Sequence, residues 1–412
     1  MELSVDFAYH FLSLRHLLCK CHLPRQREAI RLKGQIELFN ILTLNKISKI
    51  GLDKLDAAKY NCADSIDAPD AVLVRSASMH EMALDANTVA IARAGAGVNN
   101  IPIPACSEQG VVVFNTPGAN ANAVKELVLC ALFLSSRKVG AAMDWCKTLK
   151  GEGDAVGKLV EKGKGAFAGP EILGKTLGVI GLGAIGILVA EGAKALGMNV
   201  VGYDPFAGEK EGIEVVADIN DLYKKADYIS LHLPLNDGTR GMINADTLAV
   251  MKDGVRILNF ARGELVDSDA ILAALESGKA AAYVTDFPTD AQLCVDGVTA
   301  IPHLGASTPE SEENCAAMAA QELADYLEKG VIKNSVNLPN AALPESFENR
   351  TCFIHKEDEA FGTKVTAEAI AQGAAVKNLF SASKKGMGYT VIDTDKPLDT
   401  AKIEGAIRIR TI

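Results

Sequence analysis

Arg262 and His303 each stand directly after a short apolar run, and their side chains could do proton and anion chemistry. A planar guanidinium can grip a carboxylate and a carbonyl oxygen together. An imidazole titrates near working pH and can move a proton. The pair could thus hold a small hydroxy or oxo acid and exchange the proton on its C–O group. A hydride carrier is signalled upstream by Gly181-Leu182-Gly183-Ala184-Ile185-Gly186, between the apolar strand 176–180 and an apolar helix from Ala184 to Ala195. Asp204 closes the following strand, about 20 residues on, which completes the context that a GxGxxG spacing needs. Gly181 permits the tight turn, Gly183 lets the backbone approach a pyrophosphate, and Gly186 lets helix and strand pack closely. The helix N-terminus at Ala184 and Ile185 favours the anion. Asp204 would accept from both ribose hydroxyls and repel a 2′-phosphate, so NAD is expected and NADP is not.

These residues need sheet edges to hold them, and the order of elements supplies two. Residues 39–44, 70–74, 89–92 and 111–114 read as strands opening into polar or glycine-rich loops, which make a first α/β domain. A long helix from Ala123 to about Val139 leads to the glycine turn. Further strands at 228–232, 255–260, 281–285 and 298–301 end at His232-Leu233-Pro234, Ala261-Arg262-Gly263, Asp286-Phe287-Pro288 and Pro302-His303. His232, Pro234, Ala261 and Asp286 therefore share one sheet edge with the glycine turn, where open α/β sheets gather ligands. A helix from Pro309 to about Lys329 follows, then an Asn- and Pro-rich linker. The tail reads βαββαβ, the ferredoxin-like plan. The fold class expected is α/β, with two Rossmann-like domains and a C-terminal ferredoxin-like domain.

Bulk properties narrow the function classes. The chain has 412 residues and a formal net charge of −10, which argues against general nucleic-acid affinity. The longest apolar stretch carries four glycines and reads as strand, turn and helix, so no membrane partner is expected. Nine cysteines lie scattered without paired CxxC spacing, which suits reduced thiols and a cytoplasmic location. Residues 1–37 look foreign to the rest and are expected to form an unstructured extension. Cys19, Cys21 and nearby histidines lack a second ligand pair, and no metal site is assigned.

Residues 38–334 resemble the D-isomer-specific 2-hydroxy acid dehydrogenases, nearest to members that oxidise 3-phospho-D-glycerate. The resemblance is carried by Val74-Arg75-Ser76-Ala77, residues 93–100, Asn115-Thr116-Pro117, the Gly181–Gly186 turn, residues 259–264 and residues 302–308. It implies that Arg262 orients the substrate and His303 is the general acid/base. It places Arg75 and Asn120 at the phosphate end and the Gly95-Ala96-Gly97 backbone at the carboxylate. It also implies a discontinuous substrate domain (38–134 and 306–334) around an NAD-binding domain (135–305), and a homo-oligomer, dimer or tetramer. The reaction implied is NAD-linked oxidation of 3-phospho-D-glycerate to 3-phosphooxypyruvate, which opens L-serine synthesis. Reduction of glyoxylate or hydroxypyruvate is the alternative, and a non-catalytic NAD-sensing protein is the reading from another class.

One departure matters. The family pattern has a Glu that orients the catalytic His, but here Asp286-Phe287-Pro288-Thr289-Asp290 runs one residue short with no Glu following. Asp290 or Asp286 is expected to substitute. After a linker at 335–349, residues 350–412 resemble an ACT domain, in which His355 falls where a ligand-contacting His would stand. Two positions where such domains hold an amino acid with Asn read Glu357 and Ala375, so the module is expected to serve assembly rather than serine sensing.

Overall fold

The computed structural model describes residues 38–412, so the expectation for residues 1–37 lies outside it. Three sheets organise the chain. The first is all parallel, in the order β2-β1-β3-β4-β5: β1 (Phe39–Leu44), β2 (Tyr60–Ala63), β3 (Ala71–Val74), β4 (Ala90–Arg93) and β5 (Val112–Asn115). β3 and, up to its final Arg93, β4 lie inside the sheet and are apolar on both faces, as strands covered from both sides must be. Strand β2 was not anticipated. Its four residues, Tyr60-Asn61-Cys62-Ala63, sit at the sheet edge and mix polar with apolar, so neither a run nor an alternation marks them.

The second sheet is also parallel, in the order β12-β11-β10-β9-β6-β7-β8. Its strands are β6 (Thr176–Ile180), β7 (Asn199–Tyr203), β8 (Glu214–Val215), β9 (Tyr228–Leu231), β10 (Val255–Asn259), β11 (Ala280–Thr285) and β12 (Val298–Ala300). The order reverses between β6 and β9, and the glycine turn leaves β6 at that crevice. The helix Ala121–Arg137 buries Val124, Val128, Ala131 and Leu132 in one core with Val179, Val189 and Ala190 of this second unit. The boundary expected at residue 134 thus falls inside a helix that packs on the nucleotide side.

The helix Pro309–Lys329, hereafter the crossover helix, returns to the first sheet. Its Cys315, Ala316, Ala319, Leu323 and Tyr326 share a core with Ile41, Leu73, Ala92 and Phe114. Close approach needs small residues here: a Cβ on Gly51 would meet the Ala316 Cβ at 2.4 Å. The stretch expected as a linker also packs. The Asn337 Oδ1 accepts from the Val113 N–H at 2.9 Å, and Leu338 and Ala341 are buried.

The third sheet is antiparallel, ordered β14-β15-β13-β16: β13 (Asn349–Lys356), β14 (Val376–Lys384), β15 (Met387–Thr394) and β16 (Ala406–Thr411). With the helix Phe361–Ala371 this is the expected βαββαβ order, except that the short second helix is only a 3-10 turn, Thr400–Lys402. Cys352, Ile354, Tyr389 and Val391 join the core of the first unit. No described helix is long and apolar enough to cross a membrane.

Candidate active site

The glycine turn is shaped by contacts that forbid side chains. Gly181 has φ +94°, and a Cβ there would lie 2.5 Å from the His232 carbonyl oxygen. A Cβ on Gly186 would lie 1.9 Å from the Gly181 oxygen, inside the turn itself. Around Gly183 nothing lies within 4 Å, so its backbone is open to an approaching anion at the N-cap of the helix Ala184–Ala195. Ala184 and Ile185 form the first turn of that helix. Asp204 Oδ2 accepts from the Leu182 N–H and Oδ1 from the Phe206 N–H, both at 2.9 Å. Each oxygen keeps a second lone pair for a ribose hydroxyl.

The other strand ends gather beside the turn. His232 Nε2 lies 2.8 Å from Ser230 Oγ, and burial pushes the ring down to about 4, so it is neutral at working pH. The carbonyl of Pro234 accepts from Thr239 Oγ1, which fixes the loop after β9. Ala261 donates its N–H to Asn259 Oδ1 and accepts from Arg262 Nη1 at 2.6 Å.

Across the crevice the first unit contributes a cationic surface. Arg93 lies over Gly95: a Cβ there would sit 2.2 Å from Arg93 Nη1, on a backbone with φ +152°. A Cβ on Gly97 would sit 2.8 Å from Arg262 Nη2, so the Gly95-Ala96-Gly97 turn is flanked by two guanidiniums from different sheets. Asn115 Nδ2 donates to the Ala96 carbonyl at 2.6 Å and holds the turn. Burial holds Arg93 below its ordinary value, and the charges of Arg262 and Arg75 add to the effect. Arg75 Nη2 pairs with Glu312 Oε1 at 2.5 Å. Asn120 caps the helix Ala121–Arg137 without a side-chain capping bond, and its Oδ1 is buried and unpartnered.

His303 is exposed, with its ring centroid 4.4 Å from that of Phe287; the Arg262 guanidinium carbon lies 5.9 Å from the same Phe287 ring. The two acids considered as its partner are placed differently. Asp286 is 2% exposed and accepts from the Gly305 N–H at 3.1 Å. Burial raises its carboxyl, while the Gly305 N–H, His303 and Arg262 pull it down. Asp290 is exposed at the start of a 3-10 turn, Asp290–Gln292, and no hydrogen bond or ion pair joins it to His303 among the described residues. Asp286 Oδ1 is buried with no partner, which leaves an acceptor free at the crevice.

This arrangement has relatives. A family profile described as "D-isomer specific 2-hydroxyacid dehydrogenase, NAD binding domain" matches residues 129–305. Hydroxypyruvate reductase of Thermotoga maritima is 41% identical over 235 residues, which is 55% of this chain and 73% of that protein. The chain belongs to the D-isomer specific 2-hydroxyacid dehydrogenase family. D-3-phosphoglycerate dehydrogenase of Methanocaldococcus jannaschii is 40% identical over 260 residues, 61% of this chain and 48% of that one. The chain therefore spans about half the length of that relative. The NAD+-bound 3-phosphoglycerate dehydrogenase of Entamoeba histolytica superposes with a TM-score of 0.60 at 27% identity, over 73% of this chain and 99% of the other. The cofactor of this family domain is NAD. The open Gly183 backbone, the two free lone pairs of Asp204 and the orphaned Asp286 oxygen fit it.

Two charged residues beside this crevice were not singled out in the sequence. Arg93 stood inside a motif read for its glycines. Glu312 meets Arg75 across 237 residues of chain, a pairing that no local pattern announces. In the tail, His355 is 1% exposed and its nitrogens are engaged. Nδ1 lies 2.6 Å from the Lys356 carbonyl and Nε2 2.9 Å from Thr390 Oγ1, with Phe361 stacked on the ring at 3.8 Å. As placed, it is a core histidine rather than an open ligand contact.

Proposed function

We propose that the chain interconverts 3-phospho-D-glycerate and 3-phosphooxypyruvate with NAD. The observation that carries this reading is that Arg93 and Arg262 flank the Gly95–Gly97 turn and Arg75 adds its charge beside Arg93, more cationic charge than a monocarboxylic acid requires. A substrate anionic at both ends suits it. The backbone of Gly95–Gly97 and Arg262 bind the carboxylate and align the C2 oxygen, while Arg75, with Arg93 and Asn120, takes the phosphate. NAD, held by the glycine turn and Asp204, supplies the hydride acceptor. His303 accepts the C2 hydroxyl proton during oxidation and returns it during reduction. Asp286 is the negative charge that balances the imidazolium as it forms, in place of the family Glu, and Asp290 is left in solvent.

The second reading, reduction of hydroxypyruvate or glyoxylate, is favoured by one observation: Arg75 is already engaged by Glu312. Initial rates of NADH oxidation with 3-phosphooxypyruvate, hydroxypyruvate and glyoxylate separate the two. We expect kcat/KM for the phosphorylated acid to lead by about 100-fold, the scale of a lost charge-assisted contact. Equal values would assign the chain to the general reductases.

A further inference from the structure

We propose that Glu312 is a positioning residue that fixes Arg75 for the distal anionic group of the substrate. This rests on the phosphorylated-substrate reading above. Arg75 stands at the end of β3 with 38% of its side chain exposed. A free arginine there would sample many rotamers, and each encounter with substrate would have to order it anew. Its main-chain carbonyl accepts from Arg93 Nε at 3.0 Å, which orders Arg93 but leaves the Arg75 guanidinium free to swing. The bond that holds the guanidinium is the donation from Nη2 to Glu312.

Glu312 is itself built in. It lies in the first turn of the crossover helix, its N–H bonded to the Thr308 carbonyl at 3.1 Å, and Thr308 Oγ1 caps the helix by accepting from the Ser311 N–H at 3.1 Å. A carboxylate in that turn is favoured by the positive helix end. The loop that carries His303 runs directly into this turn, so the anchor for Arg75 and the proton-transfer group share one segment. Among the described residues, Arg93 and Arg262 form no direct ion pair with a carboxylate, whereas Arg75 does. Because one terminal nitrogen is used, Nε and Nη1 remain as donors for an arriving phosphate.

The test is steady-state kinetics on the full chain with NADH, comparing the wild type with Glu312→Ala and Glu312→Gln on 3-phosphooxypyruvate and hydroxypyruvate. We expect E312A to raise KM for the phosphorylated acid about five- to ten-fold while kcat stays within about two-fold. The KM for hydroxypyruvate, which has no distal anion, rises less. E312Q keeps an acceptor for Nη2 and recovers most of the loss. An unchanged or lowered KM in E312A overturns the proposal, the latter by showing Glu312 to be a competitor of the phosphate. An equal rise with both acids also overturns it, because that marks general loosening of the cleft. A wild type with no preference for the phosphorylated acid overturns the underlying reading. A wild type with that preference and an indifferent E312A overturns this proposal only.

Discussion

His303 is exposed on the loop after β12, against the Phe287 ring, and the acid whose charge reaches it is the buried Asp286. His303→Ala is expected to lower kcat by about 100- to 10,000-fold, the usual range for a positioned proton-transfer group. Asp286→Asn keeps the shape but removes the charge. It should cost about ten-fold or more in kcat and reshape the pH profile of turnover, whereas Asp290→Asn stays within about two-fold. Parallel pH–rate curves for the three variants check this, and equal losses in D286N and D290N would contradict the placement. Arg262 and His303 were legible in the sequence because each closes an apolar strand on the edge that carries the glycine turn. The choice between Asp286 and Asp290 was not legible. It depends on whether the chain after β11 turns inward or outward, and the Thr289–Gln292 capping box turns Asp290 to solvent.

The glycine turn and the crossover helix are the elements on which the site depends. Gly186→Ala would place a Cβ 1.9 Å from the Gly181 oxygen, so the turn must open. NADH affinity should fall about ten-fold or more, as read by fluorescence titration, and the melting temperature should fall as the turn is forced open. The crossover helix buries Glu322, which burial pushes up to about 8 from 4.5; Oε1 accepts from Asn334 Nδ2 at 2.7 Å and Oε2 has no partner. A carboxyl raised in the fold stabilises it fully below its unfolded value. That contribution is lost as pH rises through the folded value, here between 4.5 and about 8. Glu322→Gln should therefore match the wild type near pH 5 in urea denaturation. It should exceed it near pH 8 by on the order of 3 kcal/mol. A constant difference at both pH values would show that Glu322 is not the source. The helix itself was read from its apolar spacing between Pro309 and Lys329. The buried acid on it was not, because a Glu in an amphipathic helix reads as part of the wet face until the packing of Asn334 is known.

At the scale of the molecule, two parallel sheets face each other across the site, and the antiparallel sheet is fastened to the far end of the crossover helix. Arg350 pairs with both oxygens of Asp393 (2.7 and 2.8 Å) and donates to the Lys329 carbonyl. Tyr389 donates to the Gly330 carbonyl, and Arg410 to those of Tyr326 and Leu327, so the third sheet caps the helix C-terminus. Asp393→Asn leaves a buried guanidinium uncompensated and should cost about 3–5 kcal/mol in denaturant unfolding. A loss below about 1 kcal/mol would show the pair to be dispensable. The three-sheet plan was legible from strand order and glycine punctuation, but the docking of the tail was not. The stretch 335–349 looked like a linker by composition, and only the bonds from Asn337 and the burial of Leu338 reveal it as part of the first unit's surface. The central claim is that Arg75 makes this site select a phosphorylated 2-oxo acid. The measurement that tests it most directly is kcat/KM for 3-phosphooxypyruvate and hydroxypyruvate in the wild type and Arg75→Met. The account predicts a preference of about 100-fold for the phosphorylated acid that drops at least about ten-fold in R75M, with hydroxypyruvate reduction little changed. No preference in the wild type, or a preference that survives R75M, would contradict it.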